Sequence, residues 1–256
     1  MTILCYHAVE PGWTSPLAMD PTAFAEHCDW LVRRKTVLPL RHAVTRLDGS
    51  GRLPRGLTAL TFDDGFSGLH QHAWPVLSRL GVPATVFLVA QTLTAAGQPV
   101  DWVDSSPSYE LTTLSLEQVR EMQSAGISFE SHSCSHADLT QLSFEDCVRD
   151  LRESRELLES LLGRPVRLLA YPRGRHNAAV RSAARRAGYS HAFTLPETRE
   201  EPGPYSVPRV GLYHGNGLTD LRIKSARPYL QLRTGPAYLL TARARRTARA
   251  GLAGRK

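Results

Sequence analysis

Apolar runs and segments of helical periodicity alternate along most of the chain. Short stretches of β-forming residues predict strands at residues 3–6, 59–62, 83–89, 127–130, 166–171, 191–195 and 207–212. Apolar residues spaced three or four apart predict helices at residues 20–32, 41–47, 68–80, 115–126, 143–162 and 177–187. The repeated strand-then-helix order predicts an α/β fold, in which helices cover a parallel sheet or barrel.

Capping residues and a proline mark where several of these helices begin or break. Asp20 stands before a proline and predicts a helix start, and Ser115 with Gln118 resembles a capping box. Pro75 lies inside the helix predicted at residues 68–80. Because proline lacks a backbone N–H, we expect it to bend this helix or to mark a boundary in it.

The segment at residues 91–114 lacks clear periodicity and carries Trp102 and Tyr109. Loops of this length in compact domains are often functional. The pattern leaves two interpretations open, a wall of the active pocket and a poorly ordered surface loop.

Two adjacent acids, Asp63 and Asp64, follow the strand at residues 59–62 and precede a glycine. The carboxyl end of a strand is the usual place for chemistry in an α/β protein. A turn at the strand end would let both carboxylates reach one pocket, where one could bind a metal while the other takes a proton. The same letters also make an ordinary turn, so this motif alone is weak evidence.

His132 and His136 stand four residues apart after the strand at residues 127–130. A helical segment would place both rings on one face. Two neutral imidazoles and one carboxylate form a three-ligand metal site with an open position. The alternative is a pair of polar loop histidines near a strand end. Together with the acid pair on another strand, the histidines favour the metal site.

Three motifs in this order resemble the polysaccharide deacetylase family, also called the NodB-homology or carbohydrate esterase 4 family. They are Thr-Phe-Asp-Asp-Gly at residues 61–65, His-x-x-x-His at 132–136 and Tyr-Pro-x-Gly at 171–174. The opening residues 4–9 resemble the branch with its catalytic histidine motif at the N-terminus. The resemblance covers residues 1–215. It implies an incomplete, distorted (β/α) barrel in a single domain.

The resemblance also implies a function. It indicates a metal-dependent amidohydrolase that removes the N-acetyl group of an N-acetylated sugar and gives acetate and a free amine. The sugar could be a polysaccharide, a lipid-linked unit or a small glycoside. An O-acetyl esterase or a deformylase would use the same machinery.

The family's metal ligands and catalytic base carry over onto four residues of this chain. By resemblance, Asp64, His132 and His136 bind the metal and Asp63 is the base. A base beside the metal fits hydrolysis, because attacking water must lose a proton. Zinc is the expected metal, while cobalt, nickel and iron use the same donors.

By resemblance, the third motif, with Tyr171, Pro172 and Arg173, contributes to substrate binding, and the backbone N–H of Arg173 stabilises the oxyanion. The family's usual arginine, two residues before the proline, is replaced here by Ala170. We therefore expect Arg209, on the last predicted strand, to supply the positive charge beside the catalytic base.

Two histidines compete for the role of the acid that protonates the leaving amine. The match to the N-terminal branch favours His7, and a histidine side chain can carry a proton near neutral pH. His214 is the alternative, because the other branch of the family has its histidine late in the chain. A buried structural histidine is the simpler interpretation of His7.

Positive charge is concentrated at the C-terminus. The net charge is +7, and residues 221–256 hold ten basic residues and no acid. We therefore divide the chain into a catalytic domain at residues 1–220 and a basic tail, helical or disordered, at residues 221–256. The tail's tyrosines and leucines suit an anionic membrane surface. No specific nucleic-acid partner is expected, because no recognition motif accompanies the charge.

Other function classes use the same features. Two histidines and a carboxylate also form the facial triad of iron-dependent oxygenases, and a non-catalytic protein could act through its basic tail alone. The four cysteines show no spacing typical of a zinc knuckle or a disulfide framework. The first residues read as a strand rather than a secretory signal, which predicts a cytoplasmic enzyme, peripheral at the inner face of the membrane if the tail binds there.

Overall fold

Parallel strands form the centre of the fold. The computed structural model describes residues 2–47, 56–197, 200, 203–226 and 228–235. Within these residues the strands are β1 Thr2–Tyr6, β2 Ala8–Val9, β3 Ala18–Met19, β4 Thr36–Val37, β5 Leu57–Phe62, β6 Ala84–Leu88, β7 Ser128–Ser131, β8 Leu168–Ala170, β9 His191–Thr194, β10 Val207–Pro208 and β11 Val210–Gly211. Strands β2 and β3 pair with each other, and the other nine form one sheet.

The main sheet nearly closes into a barrel. Its strands run in the order β10-β9-β8-β7-β6-β5-β1-β11, with β4 beside β5, and the pairings are parallel. The single strand predicted at residues 207–212 is wrong, because it is two short strands separated by Arg209. One pairs with β9 and the other with β1, so the two edges of the sheet meet at Arg209. The predicted (β/α) barrel is confirmed.

Helices cover the outside of the barrel. Among the described residues the α-helices are α1 Pro21–Arg34, α2 Leu40–Val44, α3 Trp74–Leu80, α4 Leu116–Ser124, α5 Phe144–Leu162, α6 Ala178–Arg186, α7 Leu218–Lys224 and α8 Tyr229–Arg233. The predicted caps are present: Asp20 accepts from the first turn of α1, and Ser115 with Gln118 forms the capping box of α4. These short-range signals are reliable because both partners lie within three residues of each other.

Pro75 marks the boundary in the segment predicted as one helix at residues 68–80. Residues Leu69–Ala73 form a π-helical turn, and α3 begins directly after it with Pro75 in its first turn. A proline fits there because the N–H groups of the first turn lack partners in the helix. Gly81 ends α3 in the left-handed conformation, as its lack of a Cβ allows.

The two faces of the strands bury different sets of side chains. Alternate residues point into the barrel, where an apolar cluster at its amino end includes the α2 residues Leu40 and Ala43. The other members of this cluster are Ile3, Ala59, Phe87, Leu168, Ala170, Phe193 and Val207. Their strand neighbours, such as Leu4 and Leu60, pack in a larger cluster with the surrounding helices. Helix α2 therefore closes one end of the barrel with its buried residues Leu40 and Ala43, and the acid pair and histidines lie towards the other end.

The boundary predicted between residues 220 and 221 falls inside α7. Leu221 is fully buried in the main core, and Lys224 donates to the Gly211 carbonyl at 2.8 Å and to Asn216 at 2.6 Å. The barrel domain therefore extends beyond residue 220. Residues 236–256, which carry most of the predicted tail, lie outside the described residues, so the proposed membrane contact stays a prediction. In the described part of the chain, no helix combines the length and apolarity needed to cross a membrane.

Glu130 is the centre of a buried network of hydrogen bonds and ion pairs inside the barrel. Its carboxylate has no exposed surface and accepts from Arg41 Nε at 2.8 Å, while Arg164 approaches it to 3.6 Å. It also accepts from the backbone N–H groups of Arg167 and Leu168 at the start of β8. One side chain thus joins β7 to β8 and to Arg41 of α2.

We expect Glu130→Ala to lower the free energy of unfolding by about 3–5 kcal/mol, because it leaves two backbone donors and an arginine without their acceptor. Glu121→Ala is the matched control, since Glu121 makes an exposed pair with His70 at 2.8 Å. The control should change stability by less than about 0.5 kcal/mol. Urea titration measures both, and equal effects would contradict this account of Glu130.

Candidate active site

The acid pair turns into one pocket at the end of β5. The Asp63 N–H still bonds to the Tyr6 carbonyl at 3.0 Å, so Asp63 continues the strand. Asp64 and Gly65 then adopt φ values of 69° and 73°. Glycine adopts this φ without strain, and a Cβ on Gly65 would lie 2.6 Å from the end of the Leu88 side chain, which would have to move. The left-handed turn directs both carboxylates into the mouth of the barrel, as expected from the sequence.

The histidine segment is a loop, so the helical interpretation of its four-residue spacing is wrong. Ser133 and His136 have φ values of 68° and 59°, which an α-helix does not allow. Asp150 of α5 accepts from the Cys134 N–H and the Ser135 hydroxyl at 3.0 Å each. These side-chain bonds replace helical backbone bonds and hold the loop in its shape.

Asp64, His132 and His136 come together as a buried donor set. Asp64 Oδ1 lies 3.1 Å from His136 Nε2 and 3.6 Å from His132 Nε2. His132 Nδ1 lies 2.8 Å from the Ala170 carbonyl, which can only accept, so this nitrogen carries the hydrogen and Nε2 keeps its lone pair. Burial lowers the pKa of His132 to about 4, which keeps the ring neutral. Two imidazoles whose Nε2 atoms approach one carboxylate oxygen fit a divalent metal ion.

Asp63 is held by the arginine predicted from the sequence. Arg209 Nη1 lies 2.6 Å from Asp63 Oδ1, and Nη2 lies 2.7 Å from Oδ2. Both side chains are almost fully buried. Burial alone would raise the pKa of Asp63, but the charge of Arg209 and its two hydrogen bonds, with help from His132, hold that pKa well below its usual range. The carboxylate is therefore ionised at neutral pH.

His7 and Cys5 lie beside Asp63. Their nitrogen and sulfur atoms lie within 4.8 Å of each other and of a carboxylate oxygen of Asp63. Burial raises the pKa of the Cys5 thiol far above its usual range, so the thiol keeps its proton and donates to Asp63 Oδ2 at 3.4 Å. His7 stacks on Tyr213 with ring centroids 6.1 Å apart. His214 lies exposed in the following turn, outside this group.

The third motif supports the site through its backbone. Ala170 stands where the family's usual arginine is missing, and its carbonyl accepts a hydrogen bond from His132. Arg173 adopts a φ of 57°, and no hydrogen bond among the described residues uses its N–H. The Tyr171 side chain is fully buried and its hydroxyl donates to the Tyr205 carbonyl at 3.0 Å, and the contribution of Tyr171 to substrate binding stays a prediction. Buried Pro172 begins the short 3-10 turn that carries Arg173.

Two residues at the site were not assigned from the sequence. The cysteine spacing assigns Cys5 no role, although Cys5 in β1 stands two residues before His7, which directly follows the strand, so both side chains leave the chain on the same side. Trp102 was named only as part of the loop at residues 91–114, and its indole N–H donates to Asp64 Oδ1 at 3.2 Å. This loop therefore lies against the active pocket, as one of its two interpretations predicted.

A buried Asp-His-His donor set beside an ionised carboxylate, at the mouth of a (β/α) barrel, defines a hydrolase of the metal-dependent class. The polysaccharide deacetylase family model matches residues 50–192, more than half of the chain. The chain belongs to the polysaccharide deacetylase family. The resemblance recognised from the three sequence motifs is thereby confirmed, and the interpretation as an iron-dependent oxygenase loses its support.

Individual relatives agree with this assignment. YxkH of Bacillus subtilis (strain 168) is 27% identical over 219 residues, which cover 84% of this chain and 72% of YxkH. The poly-beta-1,6-N-acetyl-D-glucosamine N-deacetylase of Staphylococcus epidermidis is 26% identical over 198 residues, which cover 73% of this chain and 65% of that enzyme. The structure of Streptococcus pyogenes deacetylase PplD in complex with acetate superposes with a TM-score of 0.73 at 24% identity and covers 88% of this chain and 98% of PplD. PplD shares the fold.

We expect Arg209→Met to lower the free energy of unfolding by about 3–5 kcal/mol, because it leaves Asp63 buried without its counter-charge. The double variant Asp63→Asn with Arg209→Met removes both charges and should be more stable than the single variant Arg209→Met. Urea titrations of the four proteins in a double-mutant cycle measure this coupling. Additive effects would contradict a direct interaction between the two side chains.

The same pair predicts a pH dependence. The folded pKa of Asp63 is depressed, so its contribution to stability is complete above the unfolded value near ~4 and is lost as pH falls towards the folded value. The stability difference between wild type and Arg209→Met should therefore shrink below about pH 4. A difference that stays constant from pH 7 to pH 3 would assign the effect of Arg209 to packing alone.

Proposed function

We propose that this protein is a metal-dependent N-deacetylase that hydrolyses the acetamide group of an N-acetylated polysaccharide and releases acetate and a free amine. The observation that carries the proposal is that ionised Asp63 lies beside the imidazole of His7 and next in the chain to Asp64, which forms a donor set with His132 and His136. Similarity to the poly-beta-1,6-N-acetyl-D-glucosamine N-deacetylase of S. epidermidis supports a polymer of N-acetylglucosamine as the first substrate to test.

Asp64, His132 and His136 would hold the metal, for which we propose zinc. Cobalt, nickel and iron accept the same donors. A divalent cation in such a site supplies Lewis acidity, which polarises the carbonyl and makes water a nucleophile at neutral pH. The remaining steps depend on side chains and backbone groups of the chain itself.

Asp63 is the proposed base, and the structure favours one of its oxygens. Each carboxylate oxygen offers two lone pairs. In the described contacts, Oδ2 accepts from both Arg209 Nη2 and the Cys5 thiol, while Oδ1 accepts only from Arg209 Nη1. Oδ1 therefore keeps a lone pair for the proton of the attacking water. Arg209 fixes the plane of the carboxylate, which orients that lone pair.

The backbone N–H of Arg173 is the proposed donor to the developing oxyanion. Arg173 lies in the short turn after β8, where its backbone is left-handed. The same strand contacts the proposed metal site, because the Ala170 carbonyl accepts from His132. A backbone donor fixed before the reaction stabilises charge without reorganisation.

His7 is the proposed acid for the leaving amine. It lies beside Asp63, whereas His214 is exposed in a turn. An amine is a poor leaving group unless it receives a proton, and histidine exchanges protons near neutral pH. The transferred proton completes the reaction of acetamide and water to acetic acid and amine.

The first test measures acetate released from N-acetylglucosamine oligosaccharides by the zinc-loaded protein and by Asp63→Asn. We expect wild-type turnover and a loss of about 10²- to 10⁴-fold in Asp63→Asn, because the attacking water loses its base. Metal content is determined for both proteins, so that lost activity is separated from lost zinc. A zinc-loaded wild type that releases no acetate from oligosaccharides, polymers or small N-acetyl glycosides would contradict the proposal.

The role of His7 is tested with the matched variants His7→Gln and His214→Gln. We expect His7→Gln to lose about 10²- to 10⁴-fold on the acetamide substrate, while His214→Gln stays within about twofold of wild type. A phenyl acetate with a nitro group provides the second readout, because its phenolate leaves without a proton. On that ester His7→Gln should retain most of its activity. Equal losses on amide and ester would show that His7 acts as a structural residue.

A further inference from the structure

Trp102 contacts two members of the proposed metal site. Its indole Nε1–H donates to Asp64 Oδ1 at 3.2 Å. Its ring stacks on His136 with centroids 5.2 Å apart and planes 30° apart. One side chain from the loop between β6 and α4 therefore lies against both a carboxylate and an imidazole of the donor set.

The surrounding loop fixes Trp102 in place. Bridges join Pro99 to Thr112 and Phe66 to Thr113, so the loop folds back on itself beside the acid turn. On the other flank, the indole of Trp13 donates to the Ser105 carbonyl at 2.9 Å. Trp102 also packs against an apolar cluster that includes Trp13 and Phe66. The ring is thus held before any ligand arrives.

The hydrogen bond falls on the carboxylate oxygen that the two histidine nitrogens approach. Asp64 Oδ1 is 3.1 Å from His136 Nε2 and 3.6 Å from His132 Nε2. Bound through the lone pairs of both imidazoles, a cation would leave the indole N–H of Trp102 as a donor to Asp64. Asp64 itself sits in a strained left-handed conformation with a φ of 69°, so an outside tether helps to fix its carboxylate plane.

We propose that Trp102 is a positioning residue of the metal site, whose indole N–H orients the Asp64 carboxylate and whose ring face orients the His136 imidazole towards the bound divalent cation. This inference rests on the metal site of the proposed function. Partners that orient metal ligands in this way contribute about 10- to 100-fold to metal affinity in other proteins.

Two substitutions separate the two contacts of Trp102. Trp102→Phe keeps an aromatic face for His136 and removes the N–H, while Trp102→Ala removes both. Trp13→Phe is the matched control, because it removes another indole N–H that anchors the same loop but does not contact the metal ligands. A metal-affinity change that appears in the Trp102 variants and not in the control is specific to Asp64 and His136.

The experiment strips each full-length protein with a chelator and titrates Zn²⁺ against a chromophoric competitor, so the readout is a dissociation constant and not turnover. We expect Trp102→Phe to bind Zn²⁺ about 10-fold more weakly, Trp102→Ala up to about 100-fold more weakly and Trp13→Phe within about threefold of wild type. Thermal unfolding of the stripped proteins, which should be similar for wild type and Trp102→Phe, confirms that the variant is folded.

Wild-type affinity in Trp102→Phe and Trp102→Ala would overturn the inference, as would equal weakening in Trp13→Phe. If either result accompanies acetate release by the wild type, the proposed function stands and only the role of Trp102 is lost. A wild type that binds no divalent cation would overturn both. If Trp102→Phe is unstable, the comparison of Trp102→Ala with Trp13→Phe at equal folded fraction decides the question.

Discussion

The ion pair between Arg209 and Asp63 joins the architecture of the barrel to its chemistry. Arg209 lies between β10 and β11, the two edges of the sheet, and its side chain is fully buried inside the barrel. A buried guanidinium requires a counter-charge, and Asp63 at the end of β5 supplies it through two parallel hydrogen bonds. Closing the barrel therefore places the positive charge of Arg209 beside Asp63, the proposed catalytic base. Loss of either side chain affects both the architecture of the barrel and its chemistry.

The barrel interior is apolar towards its amino end and polar towards its carboxyl end, where Arg209 pairs with Asp63. Apolar side chains and α2 fill the amino end, where Glu130 forms an ion pair with Arg41. The Arg209 guanidinium lies 5.3 Å from the centre of the Phe87 ring, a cation–π contact between two fully buried side chains. At the carboxyl end Asp63 pairs with Arg209, and Asp64 lies 3.1 Å from His136, so these buried carboxylates have partners among the groups of the proposed site.

Backbone strain is concentrated in the same place. Among the described residues, the non-glycine residues with positive φ are Asp64, Ser133, His136 and Arg173, and each lies in one of the three motifs. Each such conformation costs about 1–3 kcal/mol, which the surrounding bonds must offset. Asp150 and the serines of the histidine loop provide such bonds. The strain aims neighbouring side chains at one point, which regular strands and helices could not do.

The sequence by itself determined the alternation of strands and helices, the caps at Asp20 and Ser115, and the acids and histidines that make the site, because these depend on neighbours within a few residues or on motifs that stand unbroken in the chain. It also led to Arg209, since Ala170 stands where the family's arginine is missing. Only the tertiary structure decided how these parts meet. The split of the last strand follows from its pairing with two different edges, and the shape of the histidine loop follows from Asp150 of the next α-helix, 15 and 16 residues further along the chain. The contacts of Cys5 with Asp63 and of Trp102 with Asp64 join residues 58 and 38 positions apart, so they exist only once the barrel has closed.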